Sequence, residues 1–216
     1  FEPQINILFN PNLKTEWFMP VSQIVGNAAL MAMILAGAAV IRERERGTIE
    51  HLLVMPVGAG EIVLAKIAAN VLIILTASTL SLYFIVHQAV GAPINGSLAL
   101  FVACNAVFLS AMAGLGIFLA TCAPTMPQFS LLCIIIYIAI NLISGSASPL
   151  ESLPLLMRQI SRLSPLTHFT AISQAVVFRG AGWQVIWPHV AATAFSGLAF
   201  TALAVARFRQ MLARQG

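Results

Sequence analysis

The segment that decides the fold is an uncharged run of 84 residues from Ile67 to Leu150, IAANVLIILTASTLSLYFIVHQAVGAPINGSLALFVACNAVFLSAMAGLGIFLATCAPTMPQFSLLCIIIYIAINLISGSASPL. Two shorter uncharged runs extend from Trp17 to Ile41 and from Gly180 to Ala206. A helix crosses the hydrocarbon core of a bilayer with about 20 apolar residues. Each run is long enough for a crossing, and the sequence therefore predicts an all-α polytopic membrane protein.

The composition agrees with a lipid environment. Of the 216 residues, 59% are hydrophobic and 8% are charged, whereas a soluble domain carries about 25% charged residues. This excludes an ordinary soluble enzyme. The net charge of +4 comes without the basic stripe and interleaved aromatic residues of a nucleic-acid-binding surface, so no nucleic-acid partner is expected.

Turn-forming residues divide the long run into separate spans. They are concentrated between His87 and Ser97 and between Thr121 and Pro127. The sequence predicts one transmembrane domain over residues 1–216, with five spans at 17–41, 62–86, 98–120, 128–147 and 183–206. An odd number of spans places the two ends of the chain on opposite sides of the membrane.

The lysines and arginines predict the orientation, because cytoplasmic segments of membrane proteins carry an excess of them. One assignment places seven inside and four outside. The inner set is Arg42, Arg44, Arg46, Lys66, Arg207, Arg209 and Arg214, and the outer set is Lys14, Arg158, Arg162 and Arg179. The aromatic anchors then share the outer interface; they are Trp17, Tyr83, Trp183 and Trp187. We expect residues 1–16 and 148–182 outside, with residues 42–61 and the C-terminus in the cytoplasm.

The outer segment 148–182 is predicted to form two short helices. Apolar residues recur at helical spacing from Leu153 to Leu163, and Ser164-Pro165 breaks that helix. A second helix is expected from Thr167 to Phe178, with Gly180 as its C-cap. Such a pair suits a re-entrant hairpin or the membrane interface, and a partly ordered loop on the surface is the alternative.

The segment between the first two spans, IRERERGTIEHLLVMP from Ile41 to Pro56, carries the sharpest signal. Gly47 permits a bend, and Thr48 is a good N-cap for a helix that Pro56 must end. The sequence predicts a helix from Thr48 to about Met55, with an apolar ridge of Ile49, Leu52 and Leu53. That ridge suits a groove on a partner protein, although resting on lipid headgroups is the alternative.

This segment resembles the cytoplasmic signature of ABC-2 type transporter permeases, the membrane subunits of a class of ATP-binding cassette exporters. The family pattern E-x-E-R-G-T-x-E-x-L-x-x-x-P is matched in order by Glu43, Glu45, Arg46, Gly47, Thr48, Glu50, Leu52 and Pro56. A Gly-Lys pair usually follows; here Lys66 matches the lysine and Ala65 replaces the glycine. Family members have six spans, so the resemblance implies that the first span and an outer domain are missing upstream.

The resemblance also implies partners. It implies a cytoplasmic ATPase subunit that binds ATP and Mg, a second permease subunit, identical or homologous, and a bacterial inner membrane around them. The short helix would dock in a cleft of the ATPase. The residues expected at that contact are Glu43, Glu45, Arg46, Gly47, Thr48, Ile49, Glu50, Leu52, Leu53 and Pro56. The function implied is ATP-driven export, with no polar cluster that selects the cargo.

Other chemistry has little support in the sequence. There is no GxxxxGK[ST] phosphate loop and no HExxH metal motif, so we expect no catalytic, cofactor or metal site in this chain. Ser144-Gly-Ser-Ala-Ser148 with His189 loosely suggests an intramembrane serine protease, which stays an alternative, as does a membrane scaffold without transport.

Four asparagines in the spans are candidates for a translocation path or for interhelical hydrogen bonds, which polar side chains form in lipid. They are Asn27, Asn70, Asn105 and Asn141. Small residues at a spacing of four permit close approach of helices; they are Ala28, Ala32 and Ala36, and Gly197 with Thr201. Packing within one subunit and packing between two subunits explain them equally well.

Overall fold

A computed structural model describes residues 15–47, 57–89, 91, 95–145 and 154–213, and within these ranges all regular structure is helical. The α-helices are α1 Thr15–Glu45, α2 Ala59–Ser81, α3 Leu98–Cys122, α4 Met126–Ile143, α5 Leu155–Ser161, α6 Pro165–Val177 and α7 Trp183–Ala213. A π-helix, Leu82–Ala89, continues α2 directly. The all-α prediction is confirmed.

The five predicted spans are confirmed by five helices that are long and apolar enough to cross a membrane. They are α1, α2 with its π-helical continuation, α3, α4 and α7. All five extend beyond the predicted limits at one end or both, and the longest extensions are at the ends of α1, which continues through Arg42–Glu45, and of α7, which continues through Arg207 to Ala213. Arginine and glutamate are good helix formers, so a helix need not end where its uncharged run ends.

Local signals account for the helix boundaries. The Ser97 side chain accepts a hydrogen bond from the Leu100 N–H at 3.3 Å and caps α3. Pro127 lies in the first turn of α4, where its missing N–H costs nothing. Gly145 follows α4 with a φ of 78°, and Gly180 follows α6 with a φ of 61°. Both adopt a left-handed conformation that favours glycine, and Gly180 ends its helix as predicted.

Helix α3 lies at the centre of the bundle and packs most extensively against α7 and α1. The contact with α1 is close because a Cβ on Gly116 would lie 2.1 Å from the Met33 carbonyl oxygen. A Cβ on Gly197 of α7 would lie 3.0 Å from the Ala111 Cβ of α3. Ala28, Ala32 and Ala36 are buried as well. The small residues singled out in the sequence therefore pack within one subunit.

The two short helices have opposite environments. Most of α6 is buried, and its Phe169 ring stacks on Phe108 of α3 with ring centroids 4.3 Å apart and contacts Phe101 at 5.8 Å. By contrast, Leu155, Leu156 and Ile160 of α5 are exposed. The break at Pro165 thus separates a helix built into the bundle from one on its surface.

Candidate functional site

The charged end of the bundle is where α1, α3 and α7 end and where α2 and α4 begin. Three consecutive residues at the end of α1, Glu43, Arg44 and Glu45, each contact a different neighbouring helix. We call them the clasp. Successive residues of a helix point about 100° apart, which allows three adjacent side chains to reach three different partners.

Glu43 forms an ion pair with Lys66 of α2. Their side chains are 32% and 14% exposed, so the pair is partly shielded from water. Both residues belong to the pattern that the sequence singled out. Ala65, which replaces the usual glycine, is exposed on α2, so the replacement places no added methyl group in the packed interior.

Arg44 binds the end of α3. Its guanidinium donates to the carbonyl oxygens of Ala123 and, at 3.5 Å, of Ala120. It also lies 3.9 Å from the sulfur of Met211 in α7. The last carbonyls of a helix have no partner within the helix and carry partial negative charge, which a cation stabilises. One side chain therefore joins the ends of α1, α3 and α7.

Glu45 caps α4. Its Oε1 accepts a hydrogen bond from the Met126 N–H at 2.9 Å. The residue at the N-cap position, Thr125, makes no capping hydrogen bond with its side chain. Glu45 therefore supplies from another helix the acceptor that a free N–H of the first turn needs, and its negative charge suits the positive end of the helix dipole.

The remaining predicted contact residues divide into two groups. Arg46 and Gly47 are exposed, and Gly47 has a φ of 68° where the chain leaves α1, as the predicted bend requires. The others lie outside the described residues: Thr48, Ile49, Glu50, Leu52, Leu53 and Pro56. Arg44 was absent from the predicted set, although it stands between the two glutamates of the pattern.

The four asparagines have different surroundings. Asn105 is buried and donates from Nδ2 to the Ser78 hydroxyl of α2 at 2.9 Å, so it joins two helices. Asn70 donates to the Lys66 carbonyl one turn earlier in its own helix, at 2.8 Å. Asn141 donates to the Tyr137 hydroxyl at 2.8 Å. Asn27 is exposed on α1. Asn105 thus makes a side-chain hydrogen bond between two helices, as helix packing requires, and the choice between packing and a translocation path stays a prediction for all four asparagines.

The exposed side of α1 borders a cavity of about 370 Å³ between α1 and α4. Its polar lining includes Gln23, Tyr137 and Asn141. Gly26 makes room for the tyrosine, because a Cβ there would lie 2.7 Å from the Tyr137 hydroxyl. This cavity is the place where polar groups of two spans meet on the outside of the bundle.

Of the serines and the histidine in the protease alternative, the structure describes Ser144 and His189, and each contacts a residue other than its proposed dyad partner. The Ser144 hydroxyl donates to the Asn141 carbonyl at 2.7 Å, at the end of α4. His189 faces His168, with their Nδ1 atoms 3.1 Å apart. Ser146 and Ser148 lie outside the described residues. Among the residues that are described, no group of three or more histidine, cysteine or acidic side chains could hold a metal ion.

Comparison with known proteins gives the same family as the resemblance of the segment from Ile41 to Pro56. Residues 8–178 match the sequence profile of the family described as ABC-2 type transporter. The chain is 43% identical over 204 residues to the inner membrane transport permease YhhJ of Escherichia coli K12, covering 94% of this chain and 54% of that protein. It is 31% identical over 199 residues to the probable multidrug ABC transporter permease YbhR of the same strain, covering 90% and 54%.

The regions aligned with these two relatives cover 94% and 90% of this chain. The chain spans about half the length of the curated relatives it matches. With a family match over most of its length, five membrane-spanning helices and a motif whose Glu43 and Lys66 form an ion pair at one end of the bundle, the chain belongs to the ABC-2 type transporter family.

Proposed function

We propose that this chain is the permease part of an ABC exporter in a bacterial inner membrane, driven by a separate cytoplasmic ATPase subunit. Two relatives named as inner membrane transport permease and as probable multidrug ABC transporter permease support this assignment. ATP and Mg would be bound by the partner subunit, since this sequence has no phosphate loop.

In the proposed orientation, the charged end faces the cytoplasm. Lys66 and five arginines of the described residues lie near that end, as the preference of basic residues for the cytoplasmic side requires. Tyr83, Trp183 and Trp187 are exposed near the other end, where an outer interface would hold amphipathic rings. Segment 48–56, which follows α1 in the sequence, would then belong to the cytoplasmic side.

The clasp is the observation that carries the mechanism. A displacement of segment 48–56 by the ATPase would act on the end of α1 and on the start of α2, the two helices that the segment connects. Because Glu43, Arg44 and Glu45 contact α2, α3 and α4, the same displacement would move the ends of four helices together. Without such contacts, the push would be absorbed by the bend at Gly47. The ATPase would thereby change how the spans are arranged around the cargo.

The cargo path is proposed to pass along the exposed side of α1 that borders α4. Gln23 and Asn27 are exposed there at a spacing of four, beside the cavity lined by Tyr137 and Asn141. Amide side chains facing acyl chains cost free energy, since hydrocarbon offers them no hydrogen bonds. A second permease subunit facing this side would cover these groups and enclose a polar passage.

Helices α5 and α6 are proposed to form a re-entrant pair on the outer side. Phe108, which stacks on Phe169 of α6, lies ten residues into α3, a depth of about 15 Å. The exposed apolar side chains of α5 would rest in the outer leaflet. Cysteine labelling at Met157 and Ala171 from the outer side tests this. Full accessibility of both positions to water would contradict it.

The docking proposal is tested by replacing Glu50 with arginine in the full-length permease and measuring co-purification of the ATPase together with transport. Arg209→Glu is the control, because it reverses an exposed charge at the charged end and lies outside segment 48–56. We expect Glu50→Arg to abolish co-purification and the control to retain it. Normal co-purification and transport by Glu50→Arg would refute the docking site.

A further inference from the structure

A second cavity, of about 480 Å³, opens at the charged end among the ends of α1, α3 and α7. Its volume falls in the range of ligand-binding sites, about 300–1,000 Å³. Five of its seven lining residues are polar or charged, and these are Arg44, Glu45, Thr121, Arg207 and Gln210. Nothing in the coupling mechanism requires an open polar cavity at this place.

The cavity lies at the depth of lipid headgroups. Arg207 is the first charged residue after the uncharged run that ends at Ala206, and Arg44 lies one helical turn beyond Ile41, where another such run ends. Leu203, one turn before Arg207 in α7, is 48% exposed. The flank of α7 below the cavity is therefore apolar, as it must be if acyl chains continue from a headgroup bound above it.

The charges that line the cavity define the ligand. Two guanidinium groups, from Arg44 and Arg207, would bind a phosphate, for which arginine has the matching geometry. Arg44 already donates to carbonyl oxygens of α3, whereas Arg207 is exposed and forms no ion pair within the described part of the chain. Glu45 adds one carboxylate, which repels phosphate and attracts a cation.

We propose that this cavity binds the headgroup of a zwitterionic phospholipid of the phosphoethanolamine type. The phosphate lies at Arg207 and Gln210, with Arg44 adding positive charge, and the ammonium group lies at Glu45. A phosphoglycerol headgroup has the phosphate but lacks the cation, so it forms no attractive contact with Glu45. The lipid thereby bridges α7 and the clasp at the end where coupling is proposed to occur.

The test is native mass spectrometry of the full-length permease titrated with phosphatidylethanolamine or phosphatidylglycerol of identical acyl chains. We expect Arg207→Gln to weaken retention of phosphatidylethanolamine about tenfold, the effect of losing one charge-assisted hydrogen bond. Arg209→Gln is the matched control, since Arg209 is exposed on the same helix but does not line the cavity. Arg207→Lys should retain most of the binding.

Glu45→Gln tests whether Glu45 causes the preference for phosphatidylethanolamine over phosphatidylglycerol. The amide oxygen still accepts the Met126 N–H, so α4 stays capped, but the attraction for an ammonium group is lost. We expect the variant to retain both lipids equally.

Unchanged retention by Arg207→Gln, or equal retention of both lipids by the wild type, would overturn the proposal. Displacement of the lipid by an equal concentration of free phosphoethanolamine would assign a soluble ligand instead. No ATPase is present in this assay, so its outcome is independent of the docking test.

Discussion

The two ends of the bundle are held together by different forces. At the charged end, Glu43, Arg44 and Glu45 reach neighbouring helices through ionic contacts and charge-assisted hydrogen bonds. At the opposite end, Phe169 of α6 packs against the rings of α3. Close-packed side chains leave little room for displacement, whereas charged side chains can exchange partners. The difference supports the proposal that movement enters at the charged end and that the opposite end resists it.

Backbone hydrogen bonds add to the rigidity of the opposite end. The Asn95 N–H donates to the Val177 carbonyl at 2.9 Å, and the Asn95 side chain donates to the Phe178 carbonyl at 2.9 Å. Gly96 permits this contact, because a Cβ there would lie 2.0 Å from the Val176 carbonyl oxygen. The connection before α3 is thus fastened to the end of α6.

The largest effect on stability is expected from Phe169→Ala. Removal of a fully buried ring from between Phe101 and Phe108 should cost about 3–5 kcal/mol. The free energy of unfolding, measured by titration with a denaturing detergent, gives the result. Phe195→Ala in α7 is the matched control, since that ring is 75% exposed, and it should change stability little. Equal losses for both variants would contradict the packed opposite end.

A smaller loss is expected from Arg44→Ala at the charged end. The variant removes hydrogen bonds from a charged donor to the last carbonyls of α3, which should cost about 1.5–3 kcal/mol. Arg42→Ala is the control, because Arg42 is exposed in the same turn of α1. The same unfolding titration measures both, and indistinguishable values would remove Arg44 from the clasp.

The smallest effect on stability is expected from Glu45→Ala, at about 0.5–2 kcal/mol, the range for loss of a helix cap. Glu45→Gln keeps an acceptor oxygen for the Met126 N–H and should recover most of the loss. Hydrogen exchange of the first turn of α4 reports the change directly. Protection of the Met126 amide that is unaltered in Glu45→Ala would show that the cap is not made.

The five spans could be predicted from the sequence, because an uncharged apolar run of about 20 residues or more forms few structures other than a membrane helix. The break at Pro165 and the end of α6 at Gly180 could be predicted as well, because proline and glycine restrict or permit particular backbone conformations. The contacts of Glu43 and Glu45 could not be predicted, because the sequence does not show which neighbouring helix a charged side chain faces.

The arrangement of the helices, which the sequence does not show, also explains two further differences between prediction and structure. Arg44 had no recognisable role in the sequence, since its partners are backbone carbonyls and these leave no trace in residue type. The asparagines were equivalent in the sequence, yet Asn105 faces α3's neighbour α2 while Asn27 faces outward. Their roles depend on how each helix is rotated, which a uniformly apolar helix does not encode in its pattern.

The central claim is that the clasp passes movement from the ATPase to the spans, and exchange of the Glu43–Lys66 pair tests it most directly. ATP-dependent transport and ATPase co-purification are measured for Glu43→Lys, Lys66→Glu and the double variant. We predict that each single variant retains the ATPase but loses most transport, because two like charges then face each other, and that the double variant recovers transport. Full transport by the single variants, or no recovery in the double variant, would contradict the claim.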